Sequence, residues 1–270
     1  MTDSLFSAID RCNELLRLDF SAEEFAKLAE ERSLSAESIE AVSSVFEYLR
    51  DKKEQSTIQM LLRTSRLPQK QVKTFDNFDF DVLKGKDIDK LKNLQTLAPI
   101  YAHKNIAFIG PLGTGKTHLA QAFGYECCRH RMKTYFIKAA ELRDKFTIAR
   151  RAGREGALLT SLVRPSCLII DEVGHCEFDK ANTRLFFDMV DRRYNKEGAF
   201  NMIFTSNKNP SDWREIFGEN DALLCSLDRL FDSASVFTFR GESFRGKHLE
   251  NYTLRAEHSA STTQDNPLNH

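Results

Sequence analysis

From Gly110 to Thr117 the chain reads GPLGTGKT, and this spacing of glycines, lysine and hydroxyl suits the binding of nucleotide phosphates. Gly110, Gly113 and Gly115 let the backbone close round a phosphate with its N–H groups turned inward, and the positive end of a following helix adds to that field. Lys116 then reaches the outer phosphates, while the Thr117 hydroxyl serves as a Mg²⁺ ligand. Beginning 50 residues after Thr117, CLIIDE ends an apolar run with two acids. Asp171 is placed to hold the same Mg²⁺ through water, and Glu172 to polarise an attacking water, which a kinase does not need. IFTSN brings Asn207 to the same sheet edge, where its amide can orient that water. Arg229 in LDRL and Arg245 in GESFR are the arginines best placed to balance charge on the γ-phosphate. An arginine in that role accelerates related phosphoryl transfers by roughly 10³ to 10⁵.

These side chains need a frame. Apolar runs alternate with helical stretches after residue 105: strands NIAFIG, KTYFIK, CLIID, FNMIFTS and SVFTF, with helices at 115–130, 139–163 and 180–196 and short helices to about 231. Near-continuous apolar strands separated by helices predict a parallel sheet covered on both faces. Residues 1–66 carry apolar residues at helical spacing, and Ser21 with Glu24 reads as a capping box, so a small bundle of three or four helices is expected there. Residues 67–104 form the entry to the core, in which TFDNFDF suggests an extended segment pinned by Phe75, Phe78 and Phe80. The core is expected over 105–250, and the polar stretch 251–270 is expected to be disordered.

Composition is that of a globular chain. Of 270 residues, 41% are hydrophobic and 29% charged, and no window resembles a membrane span or a secretory leader. The six cysteines form no CxxC pair or regular framework, which suits free thiols and a cytoplasmic location. His175 and Cys176 are too few to make a metal site. A net charge of zero conceals segregation: residues 1–47 hold eleven acids and four bases, whereas 129–154 hold nine bases and two acids.

The succession GPLGTGKTHLA, AAELRDKFTIARRAGREGALLTSLVRPSCLIIDEVG, TSN, LDRL and GESFR resembles the IstB/DnaC-like branch of the AAA+ ATPases, and most of all the IstB helper ATPases of insertion-sequence transposons. The likeness covers about 65 to 250. It implies an αβα P-loop NTPase core with five parallel strands behind a helical N-terminal domain. By the same likeness, Gly110, Pro111, Leu112, Gly113, Thr114, Gly115, Lys116, Thr117 and the adjoining His118 bind ATP, and Asp171 and Glu172 are Walker B. Asn207 is sensor 1, Arg229 a finger reaching a neighbouring subunit's nucleotide, and Arg245 sensor 2. A ring or spiral homo-oligomer on duplex DNA is implied, delivering a target site to a partner transposase. The helix from 139 to 152 lies where this clade contacts DNA, and its Arg143, Lys145, Arg150 and Arg151, with Arg154 beyond, form an electrostatic track for phosphates. The ATPase motifs equally suit a DnaC-like loader of a replicative helicase. A nucleoside kinase and a nucleotide-gated scaffold without turnover are the readings from other classes.

Overall fold

The computed structural model describes residues 9–10, 12–13, 15–17, 19–218, 227–232, 234–241 and 243. Arg245 and the stretch 251–270 lie outside the described residues. Five strands, β1 (Ile106–Ile109), β2 (Thr134–Lys138), β3 (Cys167–Val173), β4 (Asn201–Ser206) and β5 (Ser235–Thr238), form one parallel sheet in the order β2-β3-β4-β1-β5. Every residue of β1 and β4 is buried. Such strands need helices on both faces, because a parallel sheet exposes no polar side.

The helices are α1 (Ala22–Glu31), α2 (Ala36–Ser65), α3 (Ile88–Lys92), α4 (Ala98–Tyr101), α5 (Lys116–Arg129), α6 (Ala139–Arg151), α7 (Glu155–Val163), α8 (Lys180–Tyr194) and α9 (Trp213–Phe217). Residues 227–231 are also helical. One core layer joins Leu142, Phe146, Phe186, Phe204 and Trp213, and the other joins Leu61, Phe75, Phe78, Phe108, Leu119 and Phe123. The expected strands and helices of the core all form within two residues of their expected ends. β3 runs two residues further than its apolar stretch, after a bulge between Ile170 and Val173.

The N-terminal region begins as its sequence suggests: Ser21 Oγ accepts from the Glu24 amide, and Glu24 Oε2 accepts from the Ser21 amide at 2.7 Å. The rest of the region is one 30-residue helix, α2. Near its end Leu61 joins the second core layer, and beyond the helix end Leu67 joins the same layer. The segment 74–80 has no strand. A Thr74–Asn77 turn with two reciprocal hydrogen bonds directs Phe75 and Phe78 inward.

The lower edge of the sheet is held by Arg193, whose guanidinium is wholly buried and donates to the carbonyls of Leu162, Val163, Pro165, Ser166 and Asn201. Burial lowers its pKa to about 10, which leaves it charged at neutral pH. Five carbonyl acceptors are what make a buried cation tolerable.

Candidate nucleotide site

The glycine-rich loop leaves β1 at the C-terminal edge of the sheet, where the Gly110 amide donates to the Ser206 carbonyl at 3.1 Å. Gly115 caps α5 with φ +88°, and a Cβ there would lie 2.7 Å from the Phe78 ring, so both its conformation and its contact require glycine. Thr114 is buried and its hydroxyl donates to the Pro111 carbonyl at 2.9 Å, while Leu112 stands exposed at the loop tip. The first amides of α5 precede the helix's own hydrogen bonds, which begin with the Leu119 amide to the Gly115 carbonyl. The loop therefore offers donors and a positive helix end to an anion.

Lys116 is 8% exposed, and its Nζ donates to the Gly110 carbonyl at 2.8 Å and to that of Pro111. The ammonium thus lies folded over the loop's own oxygens. His118 turns its ring the other way: Nε2 donates to the Thr74 carbonyl at 2.9 Å, and the ring meets Phe78 edge-on at 5.0 Å. A carbonyl partner requires N–H at Nε2, and burial lowers the ring's pKa against the opposing effect of that hydrogen bond. Its side chain links the loop helix to the 74–80 segment.

Asp171 is 1% exposed at the end of β3. Its Oδ1 accepts from the Thr117 hydroxyl at 2.8 Å and from the Thr205 hydroxyl at 2.6 Å. Burial raises its pKa, against the lowering effect of the two hydroxyls. A carboxylate whose charge is penalised by burial, beside a threonine hydroxyl, is a pair of hard oxygen donors that a divalent cation would favour. No group of three or more His, Cys, Asp or Glu suited to a metal occurs among the described residues. That donor set fits Mg²⁺ held chiefly by phosphates and water, and does not fit a metal held by protein alone.

Glu172 follows with φ +59°, a left-handed conformation that is uncommon outside glycine. The bulge in β3 causes it. Where the ladder to β4 is interrupted, the Thr205 hydroxyl takes the place of a backbone partner and accepts the Glu172 amide at 2.9 Å. The carboxylate emerges at the sheet edge, where Glu172 Oε2 meets Lys138 Nζ at 2.9 Å. Thr205 and Lys138 are site residues that the reading of motifs overlooked. Thr205 stands inside the IFTSN motif already singled out, and Lys138 is the last residue of β2, in register with Asp171. Asn207 lies just past β4, its Oδ1 3.4 Å from where a Cβ on Gly174 would stand, so its amide is beside the turn that follows Glu172.

The two arginines differ. Arg229 lies at the opposite edge of the sheet from the loop: the adjacent Leu230 carbonyl accepts from Asn105, which precedes β1, and Arg229 Nη1 meets Asp191 Oδ1 of α8 at 2.8 Å. Phe239 and Ser243, which precede Arg245 in sequence, lie against the loop, since a Cβ at Gly110 would strike the Phe239 carbonyl and one at Gly113 the Ser243 hydroxyl. A cavity of about 1120 Å³ opens beside Thr114, between residues 82–104 and the strand β5 with its continuation to Arg240.

Of the basic residues on α6, Arg143 hydrogen bonds Asp144 at 2.8 Å and Lys145 Nζ lies 3.8 Å from Glu141. Arg150 donates to Asp179 and Asn182 at the start of α8. Arg151 and Arg154 are exposed and pair with no acid among the described residues.

The profile of the IstB-like ATP binding proteins aligns with residues 13–251. The chain belongs to this family. It is 39% identical over 196 residues to the protein named as the ATP-binding protein of insertion sequence IS5376 from Geobacillus stearothermophilus, covering 72% of this chain and 75% of the relative. Identity to the corresponding IS21 protein of Pseudomonas aeruginosa is 32%, over 76% of this chain and 75% of that one. Among solved structures, the AMPPCP-bound DnaA of Aquifex aeolicus matches with a TM-score of 0.51 and 21% identity, over 64% of this chain and 51% of that one. DnaI matches with a TM-score of 0.51 and 16% identity, over 64% and 90%. Sheet order and these likenesses identify an AAA+ αβα fold, as the sequence resemblance implied. No helix among the described residues is long and apolar enough to cross a membrane.

Proposed function

We propose that this IstB-like chain hydrolyses ATP, and that it uses ATP to assemble on duplex DNA and deliver a target site to a partner transposase. The observation that carries the reading is the convergence of Thr117, Asp171 and Glu172 at one edge of the sheet, round the loop that presents Lys116. Relatives named for insertion sequences support the setting in transposition.

The 110–118 loop binds the phosphates through its amides and the positive end of α5, and the cavity beside Thr114 takes the nucleoside. Lys116 swings from the Gly110 and Pro111 carbonyls to the outer phosphates. Thr117 and, through water, Asp171 would hold Mg²⁺, which would neutralise charge developing on the phosphates. Glu172 parts from Lys138, accepts a hydrogen bond from the attacking water, which the Asn207 amide orients, and takes its proton as the water oxygen attacks the γ-phosphorus. Arg229, remote from its own loop, serves the nucleotide of an adjacent subunit in a ring or spiral, while Arg245 serves the nucleotide of its own. Arg151, Arg154 and Lys145 contact DNA phosphates, and Arg143 and Arg150 join them only by leaving Asp144 and Asp179.

The test is binding of the Glu172→Gln chain to a labelled duplex and to the matching single strand, with ATP or ADP, while complex size is followed. ATP-dependent, multi-subunit binding to duplex is expected. Preference for the single strand would favour a replicative helicase loader, and absence of DNA binding would refute both.

A further inference from the structure

Ile148 stands on the outward ridge of α6 with 63% of its surface exposed, while Leu142, Phe146 and Ala149 on the inner side are buried. Lys145 and Arg151, three residues to either side, share its ridge, and Arg154 closes the turn beyond. The acids of the same helix are already engaged within the subunit. Asp144 is held by Arg143, and Glu141 by Arg66 with Lys145 further off. The far end of the ridge is therefore apolar and positive, with the acids of its own helix compensated and Glu155, at the start of α7, the nearest other acid in sequence.

The ridge is also rigid. On one side of Ile148 the Thr147 hydroxyl accepts from Asn182 Nδ2 at 2.9 Å, and on the other Arg150 donates to Asn182 at 3.2 Å and to Asp179. Asn182 itself is 1% exposed. Thr147 and Arg150 are thus tied to the start of α8, which leaves the isoleucine projecting from a braced helix. A bulky aliphatic side chain on a fixed support among cations suits a bent duplex, where apolar wedges part a base step while basic groups hold the backbone.

We propose that Ile148 is such a wedge: it enters a base step of a duplex held by Arg151 and Arg154, partly unstacks it and bends the helix axis. This rests on the reading of the chain as a duplex-binding protein. Pyrimidine–purine steps are the preferred sites of entry, because they unstack most readily.

The experiment uses the full chain carrying Glu172→Gln, with ATP and duplexes of about 30 base pairs, long enough to register a bend. Dyes at the two ends report bending, and 2-aminopurine placed at TA steps reports unstacking through increased emission. With Ile148 present, the ends should approach and the emission rise. Adding Ile148→Ala should leave duplex binding in place but remove most of both signals, and Ile148→Met should restore them. Three results would overturn the proposal: undiminished signals in Ile148→Ala at saturation, no bending or unstacking by the parent, or altered complex size of Ile148→Ala without DNA, which would make Ile148 a contact between copies. Failure of the parent to bind duplex at all would instead remove the underlying reading, and the proposal with it.

Discussion

Replacing Lys138 with methionine removes the ammonium that holds Glu172 while keeping a stem of similar length. The pair is 2.9 Å long, but the side chains are 55% and 41% exposed, so solvent screens it. Ion pairs of that kind stabilise by about 0.2–1 kcal/mol. If Glu172 must leave Lys138 before it can act on water, the bound-aside state is favoured over the working one by no more than that amount. Converted at about 1.4 kcal/mol per tenfold, Lys138→Met should raise basal ATP turnover roughly 1.4- to 5-fold. ATP affinity should change little, because the ammonium pairs with Glu172 and is a minor influence on the Asp171 carboxyl. Steady-state phosphate release across ATP concentrations separates kcat from KM. Moderate salt should raise the parental rate toward that of the variant, since screening weakens the same pair. A fall in kcat of tenfold or more with KM unchanged would refute the reasoning and make Lys138 a participant in the chemistry.

Arg229→Ala should still bind ATP but lose about 10³-fold or more in turnover, and mixing it with Lys116→Ala subunits should recover some activity; no recovery at any ratio would exclude action across an interface. Asp171→Asn should raise the melting temperature of the nucleotide-free protein and abolish the further stabilisation by ATP with Mg²⁺, read by differential scanning fluorimetry. The sign follows from the raised carboxyl pKa: its contribution to stability is present below the ordinary carboxylate range and lost as pH rises through the raised value, so at neutral pH the folded state bears the cost of the buried charge. The stability gained by Asp171→Asn should therefore shrink as the pH is lowered toward 4, about the ordinary aspartate value. Gly115→Ala combines a left-handed φ of +88° with a 2.7 Å approach to Phe78 and should lower stability by about 1–3 kcal/mol as well as nucleotide affinity. Unchanged denaturant midpoints would show that Phe78 and the loop can yield.

The glycine-rich loop, the acid pair and the alternation of strands and helices were legible in the sequence because each is local. Glycine spacing alone makes a loop that can wrap an anion, and a continuous apolar run before Asp171 already implies a buried strand ending at an edge. The capping box at Ser21 is equally local, and both of its hydrogen bonds form. What the amino-acid order did not disclose arises between elements distant along the chain. Thr205 reaches Asp171 and Glu172 only because β4 lies beside β3, and Lys138 reaches Glu172 only because β2 lies on the other side. The left-handed turn at Glu172 depends on that same junction. Likewise the basic residues of α6 read as one track in sequence, yet Arg150 is turned to the cap of α8 and Arg143 to Asp144, leaving Arg151 and Arg154 beside an exposed Ile148. Spacing determines which residues share an element's face. Which neighbours compete for their hydrogen bonds and charges is decided only when the sheet order and the helix packing bring distant segments together.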